Sequence, residues 1–263
     1  MREAPAYHHK PTTTGITTMR IFTLALFAAL SACAVAPASA GELNRMQDQM
    51  FGVTAQINGN CSGTLIWSDK DDETGEVTTY ALTAKHCIRR RNREQRVDLP
   101  QYQNNRVVRY DSYVATVKSQ HFRHDVALLE FKDRETHFTQ TAVIAPKDAD
   151  LVFGEPVYIV GYPAGMRLTM TDGRFGGYET IDWPADGTEF MRATPNVVGG
   201  NSGGGVFRVN ADNYELIAVV TGVRQGMWHI GLHTPLDAIH DFLSTSAPEV
   251  LGLPPRRVWG AGR

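Results

Sequence analysis

Residues 199–204 read Gly-Gly-Asn-Ser-Gly-Gly, and Ser202 supplies the nucleophilic oxygen of the stretch. Glycine tolerates backbone angles and close approaches that other residues avoid. A serine set among glycines can therefore present its Oγ to a substrate while neighbouring N–H groups converge on one point, the layout of a nucleophile beside an anion-stabilising cradle. The same composition suits a plain surface turn, so the stretch decides nothing alone. A serine hydroxyl is a weak nucleophile near neutral pH and needs a base, most often histidine. The imidazole in turn needs an acceptor on its other nitrogen to fix the tautomer and stabilise the imidazolium. The chain holds nine histidines. His86 stands out because it follows the β-like run 77–83 and directly precedes Cys87. Asp125 stands out because it opens the apolar run 126–131, where a carboxylate is partly buried and wants a partner. Taken singly, His86 also reads as a satisfied structural histidine and Asp125 as a strand-start cap.

The elements that must position these residues read as short strands. Residues 53–57 alternate apolar and polar, and Asn58-Gly59 is a hairpin signal before a partner strand over 61–67. Further strands are expected over 77–83, 106–117, 124–131, 157–161, 168–171, 176–181, 205–209, 216–221 and 230–234. The basic stretch 88–96 reads as a solvated loop. Residues 132–152, with Pro146, read as the connection between two halves. Thr234-Pro235 suits a helix start, with Thr234 as cap and Pro235 in the first turn. Leu236, Ile239, Phe242 and Leu243 then share one face of a helix over 235–245. The proline- and arginine-rich segment 248–263 is expected to be a mobile tail.

With 263 residues, 42% of them hydrophobic, the chain can build one large core or two small ones. A net charge of −2 argues against nucleic-acid binding and against a polybasic membrane surface. Residues 1–40 read as an N-terminal extension and export signal: Met19-Arg20, ten largely apolar residues over 21–30, and a small-x-small cleavage site at Ala38-Ser39-Ala40. The apolar run is shorter than the roughly 20 residues a spanning helix needs. Cleavage after Ala40 is expected, with Met19 an alternative start to Met1. Residues 30–33 (Leu-Ser-Ala-Cys) offer a second reading, a lipid anchor at Cys33. Beyond the signal, Cys61 and Cys87 remain as an even pair, and export allows a disulfide between them, the alternative being two buried thiols. A secreted or periplasmic bacterial protein is expected.

Three motifs together carry a resemblance: 82–87 (Leu-Thr-Ala-Lys-His-Cys), 125–129 (Asp-Val-Ala-Leu-Leu) and 200–204 (Gly-Asn-Ser-Gly-Gly). In type and order they are similar to the active-site motifs of chymotrypsin/trypsin-family serine proteases. The resemblance implies an all-β, chymotrypsin-like double β-barrel with a short C-terminal helix, over residues 41–247. The first barrel is expected at about 50–145 and the second at about 150–235. It implies Ser202 as nucleophile, His86 as general base and then acid, Asp125 as the group orienting His86, and the N–H groups of Gly200 and Ser202 as the oxyanion hole. Cys61–Cys87 matches the family's disulfide beside the histidine. A secreted endopeptidase acting through an acyl-enzyme on protein or peptide substrates follows, as a monomer and with no cofactor or metal.

Three departures matter. Asn201 stands where animal trypsins carry an aspartate that pairs with a new N-terminus, so no zymogen switch of that kind is expected. Exported bacterial members share Gly-Asn-Ser-Gly-Gly, but no peptide-binding domain is expected after residue 245. Asn196 occupies the position of the trypsin pocket aspartate, which argues against Arg or Lys specificity. Val197, Thr221 and His233 are further pocket candidates, and His233 or Arg224 would favour an acidic side chain. Rival readings are an α/β-hydrolase esterase built on Gly200-x-Ser202-x-Gly204, a non-catalytic binding module on the same scaffold, and a metal site at His8-His9 or His121/His124, both short of ligands.

Overall fold

The computed structural model describes residue 41 and residues 45–88, 93–103, 106–133, 136–183, 186–211, 213–224 and 227–254. The expected export signal, the Cys33 anchor, His8 and His9, and the end of the tail from 255 lie outside the described residues. The strands are β1 (Thr54–Ile57), β2 (Cys61–Lys70), β3 (Val77–Thr83), β4 (Glu94–Gln103), β5 (Arg106–Gln120), β6 (Ala127–Asp133), β7 (Val143–Ile144), β8 (Pro156–Gly161), β9 (Thr169–Ile181), β10 (Thr188–Ala193), β11 (Gly205–Asn210), β12 (Asn213–Arg224) and β13 (Met227–Pro235). One α-helix, α1 (Leu236–Ser246), follows the last strand.

β1 to β6 form a closed barrel in the order β1-β2-β3-β6-β5-β4. The second sheet runs β11-β8-β9-β10-β13-β12, and the β11–β12 pairing closes it into a second barrel, with β7 added in parallel on β12. This is the chymotrypsin-like double barrel. Closure matters because an open strand edge is a template for unwanted pairing. A strand, β11, follows Ser202, and no helix does, so the nucleophile elbow of an α/β-hydrolase does not form and the esterase reading falls.

One apolar cluster fills the first barrel (Ile57, Leu65, Leu82, Val97, Leu128 and Leu129 among others) and reaches Phe207, Leu216 and Val219 of the second. Another fills the second barrel around Ile159, Phe175, Met191, Val206 and Ile217. α1 joins both: Leu236 belongs to the second cluster, while Ile239, Phe242 and Leu243 belong to the first. Burying such side chains stabilises by roughly 1.5–3 kcal/mol each, which holds the two barrels in one arrangement across the cleft.

Three expectations are corrected. Pro235, not Thr234, is the N-cap residue of α1, and no side chain caps the helix start; Thr234 is fully buried, its Oγ1 3.3 Å from Thr221 Oγ1. The segment from Pro248 does not begin as a mobile tail. Pro248–Leu251 form a 3-10 turn, and Glu249 accepts a hydrogen bond from the Tyr80 hydroxyl at 2.8 Å. The basic stretch 88–96 is not all loop, since Glu94, Gln95 and Arg96 lie in β4, where Arg96 pairs with Asp98 at 2.8 Å.

Candidate active site

Strand register brings His86 and Asp125 together. Thr83, which ends β3, pairs with Ala127, which opens β6. The chain leaving β3 and the chain entering β6 therefore sit at the same end of the barrel, with His86 in a 3-10 turn (Lys85–Cys87) and Asp125 just before its strand. Asp125 is 3% exposed and its two oxygens have separate tasks. Oδ1 accepts the backbone N–H of His86 at 2.9 Å, and Oδ2 accepts the Nδ1–H at 2.6 Å. The Nδ1 bond, backed by charge attraction, outweighs half-burial and holds the His86 pKa above the ordinary imidazole value. With Nδ1 carrying the proton, the lone pair lies on Nε2.

The loop before Asp125 is pinned by a second histidine. His121 Nδ1 accepts the N–H groups of Arg123 and His124 at 3.1 and 2.9 Å. Burial pushes the His121 pKa down to about 4, which keeps that nitrogen an acceptor. His121 and His124 rings lie edge to face, 5.0 Å apart. Among the described residues, the ligand atoms close enough to share a metal are those of Cys61, His86 and Cys87. Cys61 and Cys87 form a disulfide, S–S 2.01 Å, so neither sulfur is a thiolate ligand while the bond is closed. Closing this loop, 26 residues in sequence separation, contributes about 3.5 kcal/mol in the chain-entropy picture and anchors the turn that carries His86.

Ser202 lies three residues before β11, in a turn whose peptide planes are fixed one after another. The Gly199 carbonyl accepts the Ala164 N–H at 2.5 Å, and the Asn201 N–H donates to Val198 at 3.1 Å. The Gly204 N–H donates to the Asn201 carbonyl at 2.9 Å, the Gly203 N–H to Val220 at 2.7 Å, and the Ser62 N–H to the Ser202 carbonyl at 2.8 Å. The N–H groups of Gly200 and Ser202 have no acceptor among the described residues. Two glycines make the turn possible. Gly200 has φ +100°, and a Cβ there would lie 2.2 Å from the Tyr162 carbonyl oxygen. Gly203 has φ +85°, and a Cβ would lie 2.2 Å from the Ser62 oxygen and 2.7 Å from Ala84 N. The second contact shows how tightly the serine turn presses on the segment leading to His86. Cys87 Sγ also lies 3.6 Å from the Ser202 carbonyl oxygen.

The Ser202 hydroxyl donates to the Thr221 carbonyl at 3.3 Å, and no hydrogen bond joins it to His86 among the described residues. Unliganded sites commonly leave this bond long or misaligned until substrate arrives. The pocket candidates separate into groups. Val197 and His233 flank Gly231, whose missing Cβ would lie 3.0 Å from Val197 Cγ2 and 2.6 Å from His233 Nε2. His233 is fully buried, neither ring nitrogen has a partner among the described residues, and burial drives its pKa down to about 3. Thr221 lies at the nucleophile. Asn196 is exposed, with its carbonyl accepting from Thr171 Oγ1 at 3.3 Å. Arg224 is engaged with Glu179. A mostly apolar cleft of about 360 Å³ is lined by Thr221 itself together with Ile181, Trp183, Gly222, Val223, Arg224 and Leu232.

Sequence reasoning missed Ser62. It is completely buried at the start of β2, and its hydroxyl donates to the Gly200 carbonyl at 2.7 Å and accepts the Tyr162 N–H at 2.9 Å. Nothing in the run Cys61-Ser62-Gly63 separates this hydroxyl from an ordinary strand serine.

A family model described as the trypsin-like peptidase domain matches residues 61–219. No curated protein matches the sequence. Among solved structures, an HtrA-type protease, AlgW with a tripeptide, superposes with a TM-score of 0.59 at 15% identity, over 77% of this chain and 62% of that one. The chain thus spans about 62% of that protein's length, and at this identity the likeness speaks to the fold.

Proposed function

We propose, because this chain belongs to the trypsin-like peptidase family, that it is an exported serine endopeptidase working through Ser202, His86 and Asp125. The observation that carries the reading is the double grip of one buried carboxylate on His86, through Nδ1 and through the backbone N–H. That grip leaves Nε2 as the basic nitrogen. In the mechanism, the Ser202 hydroxyl turns from Thr221 toward Nε2 and gives up its proton as Oγ attacks the scissile carbonyl. The free N–H groups of Gly200 and Ser202 take the oxyanion. His86 then returns the proton to the leaving amine, and a water repeats the sequence on the acyl-enzyme. The Cys61–Cys87 disulfide supports an oxidising compartment. A fluorophosphonate probe is expected to label Ser202, with the adduct located by peptide mass analysis; a folded protein that resists the probe would overturn the reading.

Activity is expected to fall in acid. The base must be neutral, and Asp125 raises the His86 pKa, so kcat/KM decreases as pH drops through a value above the ordinary imidazole pKa. His86 binds its proton more tightly folded than unfolded. Its contribution to stability is therefore present in acid and lost as pH rises through the folded pKa, opposite in direction to activity. A rate profile that is flat from pH 4 to 9 would contradict the assignment.

Specificity follows from the walls. We place Val197, Thr221 and His233, with Asn196 at the surface, around the residue on the amino side of the scissile bond. His233 is neutral above about pH 3 and Arg224 is paired with Glu179, so neither supplies a free cation for an acidic side chain. A peptide library is expected to show uncharged side chains preferred there. Dominance of Lys, Arg, Asp or Glu would reject this pocket.

A further inference from the structure

We infer that Ser62 is a positioning residue whose hydroxyl sets the peptide planes of the oxyanion turn, and so acts on the rate of the chemical step rather than on substrate affinity. This rests on reading Gly200 and Ser202 as the oxyanion donors. Ser62 belongs to the first barrel, beside Cys61, yet it binds the second barrel three times. Its N–H donates to the Ser202 carbonyl at 2.8 Å. Its Oγ donates to the Gly200 carbonyl at 2.7 Å and accepts the Tyr162 N–H at 2.9 Å. Its own carbonyl accepts from Thr83 Oγ1 at 2.7 Å, three residues before His86. Donor and acceptor bonds together fix the hydroxyl rotor, and burial keeps water from replacing it.

Two bonds from this one residue bracket the Gly200-to-Ser202 segment at both ends. The Tyr162 bond extends the grip. Tyr162 precedes the 3-10 turn Pro163–Gly165, whose Ala164 N–H holds the Gly199 carbonyl. Ala164 sits at φ +53°, a strained value for a residue with a Cβ, which persists only where neighbours over-determine it. The hydroxyl of Ser62 thus helps hold the planes on both sides of Gly200. The Gly199–Gly200 plane carries the Gly200 N–H, and the Gly200–Asn201 plane links it to the plane that carries the Ser202 N–H, so rotation of either one displaces an oxyanion donor from the point where negative charge develops. A substrate carbonyl carries little of that charge before attack, so the loss falls on the transition state.

Ser62→Ala and Ser62→Gly both remove the hydroxyl and keep the strand N–H. Each is assayed on a peptide substrate at a temperature where circular dichroism shows native structure. The expected result is a fall in kcat of about 10- to 100-fold with KM within about twofold. A parallel fall in the rate of Ser202 phosphonylation is expected, with an unshifted acid limb of the pH profile, since the His86–Asp125 bond does not involve Ser62. A folded variant with wild-type kcat, or one whose loss lies in KM, would overturn the inference. So would failure of both variants to fold, which would make the hydroxyl a folding requirement. An inert wild-type protein would sink the protease reading and this inference with it, whereas active wild type beside fully active variants sinks the inference alone.

Discussion

Replacing Ser202 by alanine is expected to lower kcat/KM on a peptide substrate by a factor on the order of 10⁴ to 10⁶ while leaving the thermal melt nearly unmoved. The size of the effect comes from the loss of covalent catalysis as a whole: without Oγ, the base at His86 and the free N–H groups at Gly200 and Ser202 have no attacking atom to serve. The small effect on stability comes from the bonding of the turn. The Ser202 hydroxyl makes one bond of 3.3 Å, to Thr221, whereas the peptide planes around it are held by backbone bonds that alanine retains. The fluorophosphonate adduct should vanish together with the activity. Continued labelling of the alanine variant at another residue, with hydrolysis intact, would show that the chemistry lies elsewhere.

Asp125→Asn is expected to cost about 10⁴ in kcat, through the tautomer of His86 rather than through its position. Asp125 accepts two N–H groups, one on each oxygen. An asparagine has one oxygen and one NH₂. If its oxygen keeps the backbone N–H of His86, the NH₂ faces Nδ1 and forces the imidazole proton to Nε2, where it cannot act as a base. If the amide flips, the NH₂ meets the backbone N–H, and a buried donor is left facing another donor. The acid limb of the residual activity should move to lower pH, because the bond that raises the His86 pKa is gone. A variant that keeps both the wild-type rate and the wild-type pH profile would show that Asp125 does not orient the base.

The three side chains proposed to react stand out in the sequence because their neighbours already carry part of the chemistry. Glycines flank Ser202, an apolar strand precedes His86, and another follows Asp125. β3 was read to its ends, since the run 77–83 is bounded by a charged loop and a turn. β10 was not read: Thr-Glu-Phe-Met-Arg-Ala has no clean period of two, although Thr188, Phe190, Met191 and Ala193 are all buried. β9 was read as two strands because glycines at 173, 176 and 177 resemble breaks, yet the strand runs through them. The helix cap was misassigned for a related reason, as Thr234 finds its nearest polar neighbour in Thr221 on the adjacent strand.

Residue type and local spacing therefore determined which groups can attack, accept a proton and turn the chain, because those properties reside in the side chain and its immediate neighbours. Tertiary structure alone decided how they are held. Ser62 and Gly200 are 138 positions apart, His86 and Asp125 are 39 apart, and Cys61 meets Cys87 across 26. Each of these contacts is set by strand register and barrel closure, which depend on the summed burial of many apolar residues and leave no mark on the few residues that meet. The same holds for the N–H groups of Gly200 and Ser202, which have no acceptor among the described residues: every backbone has such donors, and only the folded turn, by pairing their neighbours, leaves these two unpaired there.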